Sequence, residues 1–283
     1  MKKNPNKRRM LPMAFIRKYG RVIIGSIIIA VIIFMGVFAG LLTDWDPEQA
    51  DITEAKLKPG VNGHVLGTDI YGRDMLARAL YGSRTTLIVS IGAVCMTMVM
   101  GTALGLLCGY YKRAEKIIMR FLDAFSTIPG LLLTLLMVAV FGAGIPNLMI
   151  SMSIGGVPGL ARTVRNQTLS LREKEYIESE KAMGASDLRT TVLHILPACS
   201  SYLLIRFSSS ISGSILSMTS LSYLGVGLDP TLASWGGMVQ NSQKILFTLP
   251  HSVLVPSLFI CVTAFGFTML GEGLRDILDP KTR

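Results

Sequence analysis

Apolar runs of about 20 residues, long enough to cross a bilayer as helices, recur through this chain and constrain its fold more than any other feature. They are Val22 to Leu42, Leu87 to Tyr110, Phe121 to Phe141, Asn147 to Val164, Pro197 to Leu221 and Val253 to Leu270. Half of the residues are hydrophobic and 16% are charged, where a soluble domain has about a quarter charged. The expected fold class is all-α, a polytopic membrane protein with six transmembrane helices.

The net charge of +10 invites a nucleic-acid reading, but the basic residues do not cluster with aromatics. They alternate with the spans. Residues 1–21 hold eight Lys or Arg and no acid, which keeps that end in the cytoplasm. With six spans, 21 of the 28 Lys and Arg fall on the cytoplasmic side and six (Lys56, Lys58, Arg73, Arg78, Arg84, Lys244) outside, with Arg206 between. Both termini are then cytoplasmic, which is the orientation the asymmetry favours. Val37-Phe38-Ala39 resembles a signal-peptide cleavage site, but the apolar run before it is longer than a signal sequence needs, so 22–42 is read as the first span.

Between the spans the chain divides into an acidic external loop at 43–84, a core of five spans at 85–274 and a short tail at 275–283. Gly101 and Gly105 form a G-x-x-x-G pair that lets helices approach closely in lipid. Pro129-Gly130 interrupts the third span, either as a packing kink or as a bend lining a pathway. Gly155-Gly156-Val157-Pro158-Gly159 interrupts the fourth in the same two senses. Arg206 is a charge inside an apolar run, a functional candidate or a side chain that snorkels inward. Trp235, in a Gly- and Pro-dense segment at 222–250, suits a membrane interface. The four cysteines lack paired metal-type spacing and read as small hydrophobes, and the three histidines read as structural or loop residues.

The polar stretch Ser170 to Pro197 stands apart. Ser170 with Glu173 matches a capping box at a helix start, and Gly184 suits a helix end in the left-handed conformation. Leu169, Tyr176 and Met183, with Ile177 beside them, give a narrow apolar stripe on an otherwise charged helix. That is a solvated connector or a docking helix offering its stripe to a partner's groove.

Glu178-Ser179-Glu180, three residues, Gly184 and then Ile195-Leu196-Pro197 resembles the EAA loop of ABC-importer permeases, with Ser179 and Glu180 where that family has two alanines. His64 to Asp74 (HVLGTDIYGRD), Leu221 to Gly227 with Ser234-Trp235-Gly236, and Gly271 to Pro280 are similar to three further motifs of the dipeptide, oligopeptide and nickel subgroup. The likeness covers about residues 64–283.

The resemblance implies a permease that forms half of a translocation pathway and works beside a second, similar permease. It further implies two ATP-binding subunits and an external substrate-binding protein, in a bacterial cell membrane. ATP and Mg would be used by the partner ATPases, and no cofactor or metal would be bound by this chain. The coupling helix would lie at about 171–184, with Tyr176, Glu178, Ala182, Met183 and Gly184 meeting the ATPase. Pro129, Gly130, Pro158 and Arg206 are the pathway candidates, and Asp69, Arg73, Asp74 and Trp235 the expected external contacts. Short peptides are the first expectation for cargo and nickel or a metal chelate the second. An ATP-independent channel or carrier is the rival class. The chain has no G-x-x-x-x-G-K-[ST] phosphate loop, no H-E-x-x-H and no G-x-S-x-G, so it is expected not to be an enzyme.

Overall fold

In a computed structural model of the chain, residues 7–278 are described, with side chains from Tyr19 onward. The Asp279-Pro280 end of the fourth motif, Lys281, Arg283 and the side chains of most of the basic leader lie outside the described residues. The described chain is helical, and its only β-pairing is two isolated bridges in the 43–74 segment.

Helix α1 (Lys7–Val37) and the short α2 (Ala39–Leu42) lead into that segment. Helix α3 (Met75–Tyr110) starts earlier than the apolar run does. Asp74 caps it, accepting from the Ala77 N–H at 2.6 Å, so helix begins at 75, within the segment read as loop to 84. The cap, not hydropathy, sets the helix start.

Helix α4 (Lys112–Ser126) absorbs the basic stretch expected as a loop, and α5 (Gly130–Phe141) follows it at a bend of 95°. Here Pro129 does more than kink a span. It has no N–H to continue α4, whose last turn closes instead through Thr127 and Ile128 onto Ala124 and Phe125. The Pro129 carbonyl then accepts the first α5 bond from Leu133.

The opposite holds in α6 (Ile145–Arg172), which runs unbroken through the glycines and Pro158. It also runs past Ser170, so the amides near Glu173 already have helical partners and the expected capping box does not form. Helix α7 (Glu175–Ala182) begins without a side-chain cap. Helix α8 (Asp187–Thr190), a π turn at Thr191–Ile195 and α9 (Leu196–Tyr223) make one continuous rod, where the sequence pointed to a start at Pro197. The wide turn relieves the clash that the Pro197 ring would make with the Leu193 carbonyl one turn back. Helices α10 (Trp235–Ser242) and α11 (His251–Leu278) complete the chain.

Four of these helices are long and apolar enough to cross a membrane, and up to five are if α4 and α5 count as one span. Helix α6 has the length, with 28 residues, but Asn147, Arg162, Arg165 and its serines dilute its apolar character.

Small residues set the packing. A Cβ on Gly101 would meet Leu160 at 2.8 Å, and one on Gly105 would meet Val164 at 2.6 Å, so α3 and α6 lie in contact along a seam that only glycine permits. Helices α1 and α11 close similarly at Gly25, Gly266 and Gly273. The four cysteines are free, with Cys108 and Cys199 buried.

Candidate functional site

Two features of this bundle can do work: an exposed helix at one end, and a polar cavity between helices. At the first, Ile177 is fully buried beside Leu106, Tyr110, Val164 and Ile195, which seats α7 on the ends of α3, α6 and the α9 rod. Gly184, at φ +86°, closes α7 in the left-handed region. Its N–H donates to Lys181 and that of Ala185 to Glu180, the double bond pattern of a Schellman cap. The flanking chain is pinned as well: Tyr110 donates its hydroxyl to Asp187 at 2.6 Å, and Arg172 donates to the Tyr110 carbonyl at 2.7 Å.

The five residues singled out on and just after this helix are all exposed. Tyr176 is 49% and Met183 81% exposed, and Glu178, Ala182 and Gly184 are exposed too. Glu180, the departure from the family's small residue, points the other way. It is buried, with one oxygen 2.8 Å from His194 Nε2 and the other without a partner. The stripe expected to pair Ile177 with Tyr176 and Met183 is therefore split between two faces, one anchoring and one presenting.

The second feature is a cavity of about 310 Å³ among α3, α5, α6 and α9. Gly155 and Gly156 of α6 and Gly130 of α5 leave room, and Thr97, Thr134, Ser210, Ser214 and Ser217 line it with hydroxyls. Arg206 enters from α9, 19 residues after Asp187 and 17 before Tyr223. At 1.5 Å per residue that is about 28 and 26 Å from the rod's ends, its midpoint. Burying a charge in hydrocarbon costs about 2.5–3.5 kcal/mol, and the hydroxyls of the cavity lining give Arg206 a polar surround in its place. Gly130 thus joins Arg206 at the cavity, and Pro129 stands next to it at the break. Pro158 does not. It is buried on α6 and lines an apolar groove of about 620 Å³ under α4. The spacing of Arg206 with Ser210, Ser214 and Ser217, one face of a helix, is the signal in the sequence that marks this wall.

At the far end the expected external contacts turn out to be internal. Asp69 and Arg73 pair at 2.8 Å, Asp74 holds both the α3 cap and His64, and Trp235 is fully buried against Phe259. Polar groups this buried need partners, and these find one another. Arg78, missed in the sequence, straps the two outer segments together. Its guanidinium donates to the Pro47 carbonyl at 2.7 Å and the Thr231 carbonyl at 3.2 Å, and its side chain is 1% exposed.

Long apolar helices around a polar cavity, with a capped helix presented at one end, are the make-up of a membrane transport component. The chain belongs to the family of binding-protein-dependent transport system inner membrane components, which matches residues 101–283. It is 38% identical over 270 residues to the glutathione transport system permease protein GsiD of Pectobacterium atrosepticum, covering 95% of this chain and 89% of that one. It is 35% identical over 269 residues to the dipeptide transport system permease protein DppC of Alkalihalophilus pseudofirmus, covering 95% and 88%. With the oligopeptide transport system permease protein OppC of Bacillus subtilis it shares 35% over 261 residues, covering 92% and 85%. The resemblance read from the four motifs is thereby confirmed: this is an ABC-importer permease, a multi-pass protein of the bacterial inner membrane.

Proposed function

We propose that the chain is the permease of an ATP-driven importer of dipeptides and oligopeptides, with glutathione, itself a small peptide, within its range. The relatives named for glutathione, dipeptide and oligopeptide transport support that cargo class. The carrying observation is α7: anchored by Ile177, closed by Gly184 and exposed on its outer side, it is built to receive force from a partner. In this reading α6 also crosses the membrane, as the fourth of six spans, and both termini are cytoplasmic. Two separate ATP-binding subunits, using ATP and Mg, push on Tyr176, Glu178, Ala182, Met183 and Gly184. A second, homologous permease completes the pathway as a heterodimer. An external binding protein docks over the 43–74 and 222–250 segments, touching their exposed surface and not the buried Asp69, Arg73, Asp74 or Trp235. The chain itself hydrolyses nothing.

The test is to purify the tagged chain in mild detergent with its neighbours, reconstitute the complex in vesicles, and follow labelled peptide uptake with ATP hydrolysis. Co-purifying P-loop ATPases, a second permease and vanadate-sensitive uptake are expected. A lone chain that moves peptide without ATP would sink the proposal.

A further inference from the structure

Several arginines on these helices are occupied. Arg21 bonds Asp276, Arg84 the Gly36 carbonyl, Arg162 Asp123 and Arg165 Glu115. Arg206 has neither an ion-pair nor a hydrogen-bond partner among the described residues. It is the one charged residue lining the cavity, and no carboxylate lines it. One and three turns further along α9, the hydroxyls of Ser210 and Ser217 are also without partners among the described residues, while Ser214 between them donates to the Ser90 carbonyl at 3.1 Å.

We propose that Arg206, with Ser210 and Ser217, forms a carboxylate-receiving subsite on the transport route, selecting solutes that carry a free carboxylate. A guanidinium offers a planar fork of N–H donors that matches a carboxylate in two parallel bonds. Hydroxyl donors along the same wall extend the grip as the solute moves along the helix. Low-dielectric walls and an uncompensated positive charge draw anionic groups in and repel a bare divalent cation, which sets the subsite against free nickel as cargo. Since Arg206 is exposed to the cavity and not clamped, the hold is loose enough to release what it catches. The subsite rests on the importer reading above.

The experiment compares uptake of alanyl-alanine and alanyl-alaninamide into vesicles holding the whole complex, at binding-protein loads that saturate both. The wild-type complex is expected to favour the acid over the amide by about tenfold in maximal rate, the ratio that one charged hydrogen bond supports. Arg206→Gln should bring that ratio to within about twofold of unity, and Arg206→Lys should keep only part of it, because the charge is retained but the two-pronged fork is lost. Ser210→Asp, which places a carboxylate one turn from the guanidinium, provides a second variant: it should bring the acid-to-amide ratio toward unity. An acid-to-amide ratio unchanged in R206Q, or in S210D if R206Q does not assemble, overturns the subsite and leaves the importer standing. Absence of ATP-driven uptake in the wild type removes both.

Discussion

The indole N–H of Trp235 donates to the Ala79 carbonyl at 2.9 Å, joining residues 156 apart in the chain. This single bond fixes α10 across the first turns of α3, where Gly82 leaves space for the ring. Burying so large a side chain is worth far more than the bond alone. Trp235→Ala is expected to destabilise by about 3–5 kcal/mol through the cavity it leaves. Trp235→Phe, which keeps most of the packing, should cost roughly 1–3 kcal/mol, chiefly from the unpaired partner. Apparent melting temperatures of the purified variants in detergent check the order. A Trp235→Phe loss as large as the Ala loss would mean that the hydrogen bond outweighs the packing.

The α3–α6 seam predicts a steric limit. At Gly105 a Cβ would lie 2.6 Å from Val164 and 2.8 Å from the Ala161 carbonyl, and backbone cannot retreat as a flexible side-chain tip can. Gly105→Val should therefore separate the helices and lower folded yield sharply, with a penalty at or above the roughly 1–3 kcal/mol of ordinary overpacking. Gly159, where nothing lies within 4 Å of an added Cβ, is the control. Gly159→Ala is expected to leave yield unchanged in the same expression assay.

Gly184 carries a different burden. A side chain at φ +86° costs about 1–2 kcal/mol, which loosens the cap without unseating Ile177. Gly184→Ala should leave the complex assembled but weaken the coupling of ATP hydrolysis to uptake, and Gly184→Pro should weaken it more. The ratio of peptide imported to ATP consumed is the readout. Full coupling in Gly184→Pro would show that α7 does not transmit the stroke.

His64 predicts a pH dependence. Its Nδ1 and Nε2 lie 2.8 and 3.0 Å from Asp74 and Glu54. Burial alone would lower its pKa, but hydrogen bonds and charge from the two carboxylates outweigh that, and the pKa is raised above the ordinary 6.5. A group raised on folding stabilises the fold fully below its unfolded value and loses that contribution as pH climbs through the folded one. The 43–74 segment should thus loosen as pH rises above about 6.5. Hydrogen exchange of that segment, taken at each pH against His64→Gln, should show protection converging toward the variant at alkaline pH. Protection that grows with pH instead would reverse the sign.

The helical membrane class was readable because runs of apolar residues carry it directly, and Gly184 because a positive φ leaves so few residue choices. Other features were hidden for identifiable reasons. Ser170 and Glu173 match a capping box, yet a motif of four residues says nothing about whether the preceding helix has already satisfied those amides. Asp69, Arg73 and Asp74 read as outward contacts because they stand in a polar, turn-rich loop, and only the fold brings them the partners that make burial tolerable. The same local ambiguity made Pro129 and Pro158 look alike. One ends a helix and the other sits inside one, and the difference lies in what packs around each. Arg206 was visible as an anomaly, whereas the serines beside it were lost among the many serines of α9.

The break at Pro129 also sets a length. Helix α5 has 12 residues, about 18 Å, against a hydrocarbon layer of about 30 Å. It cannot bridge that layer unaided, so a span that uses it must draw its remaining reach from the Phe121 end of α4, across the 95° bend. There the bilayer meets an elbow and not a straight rod.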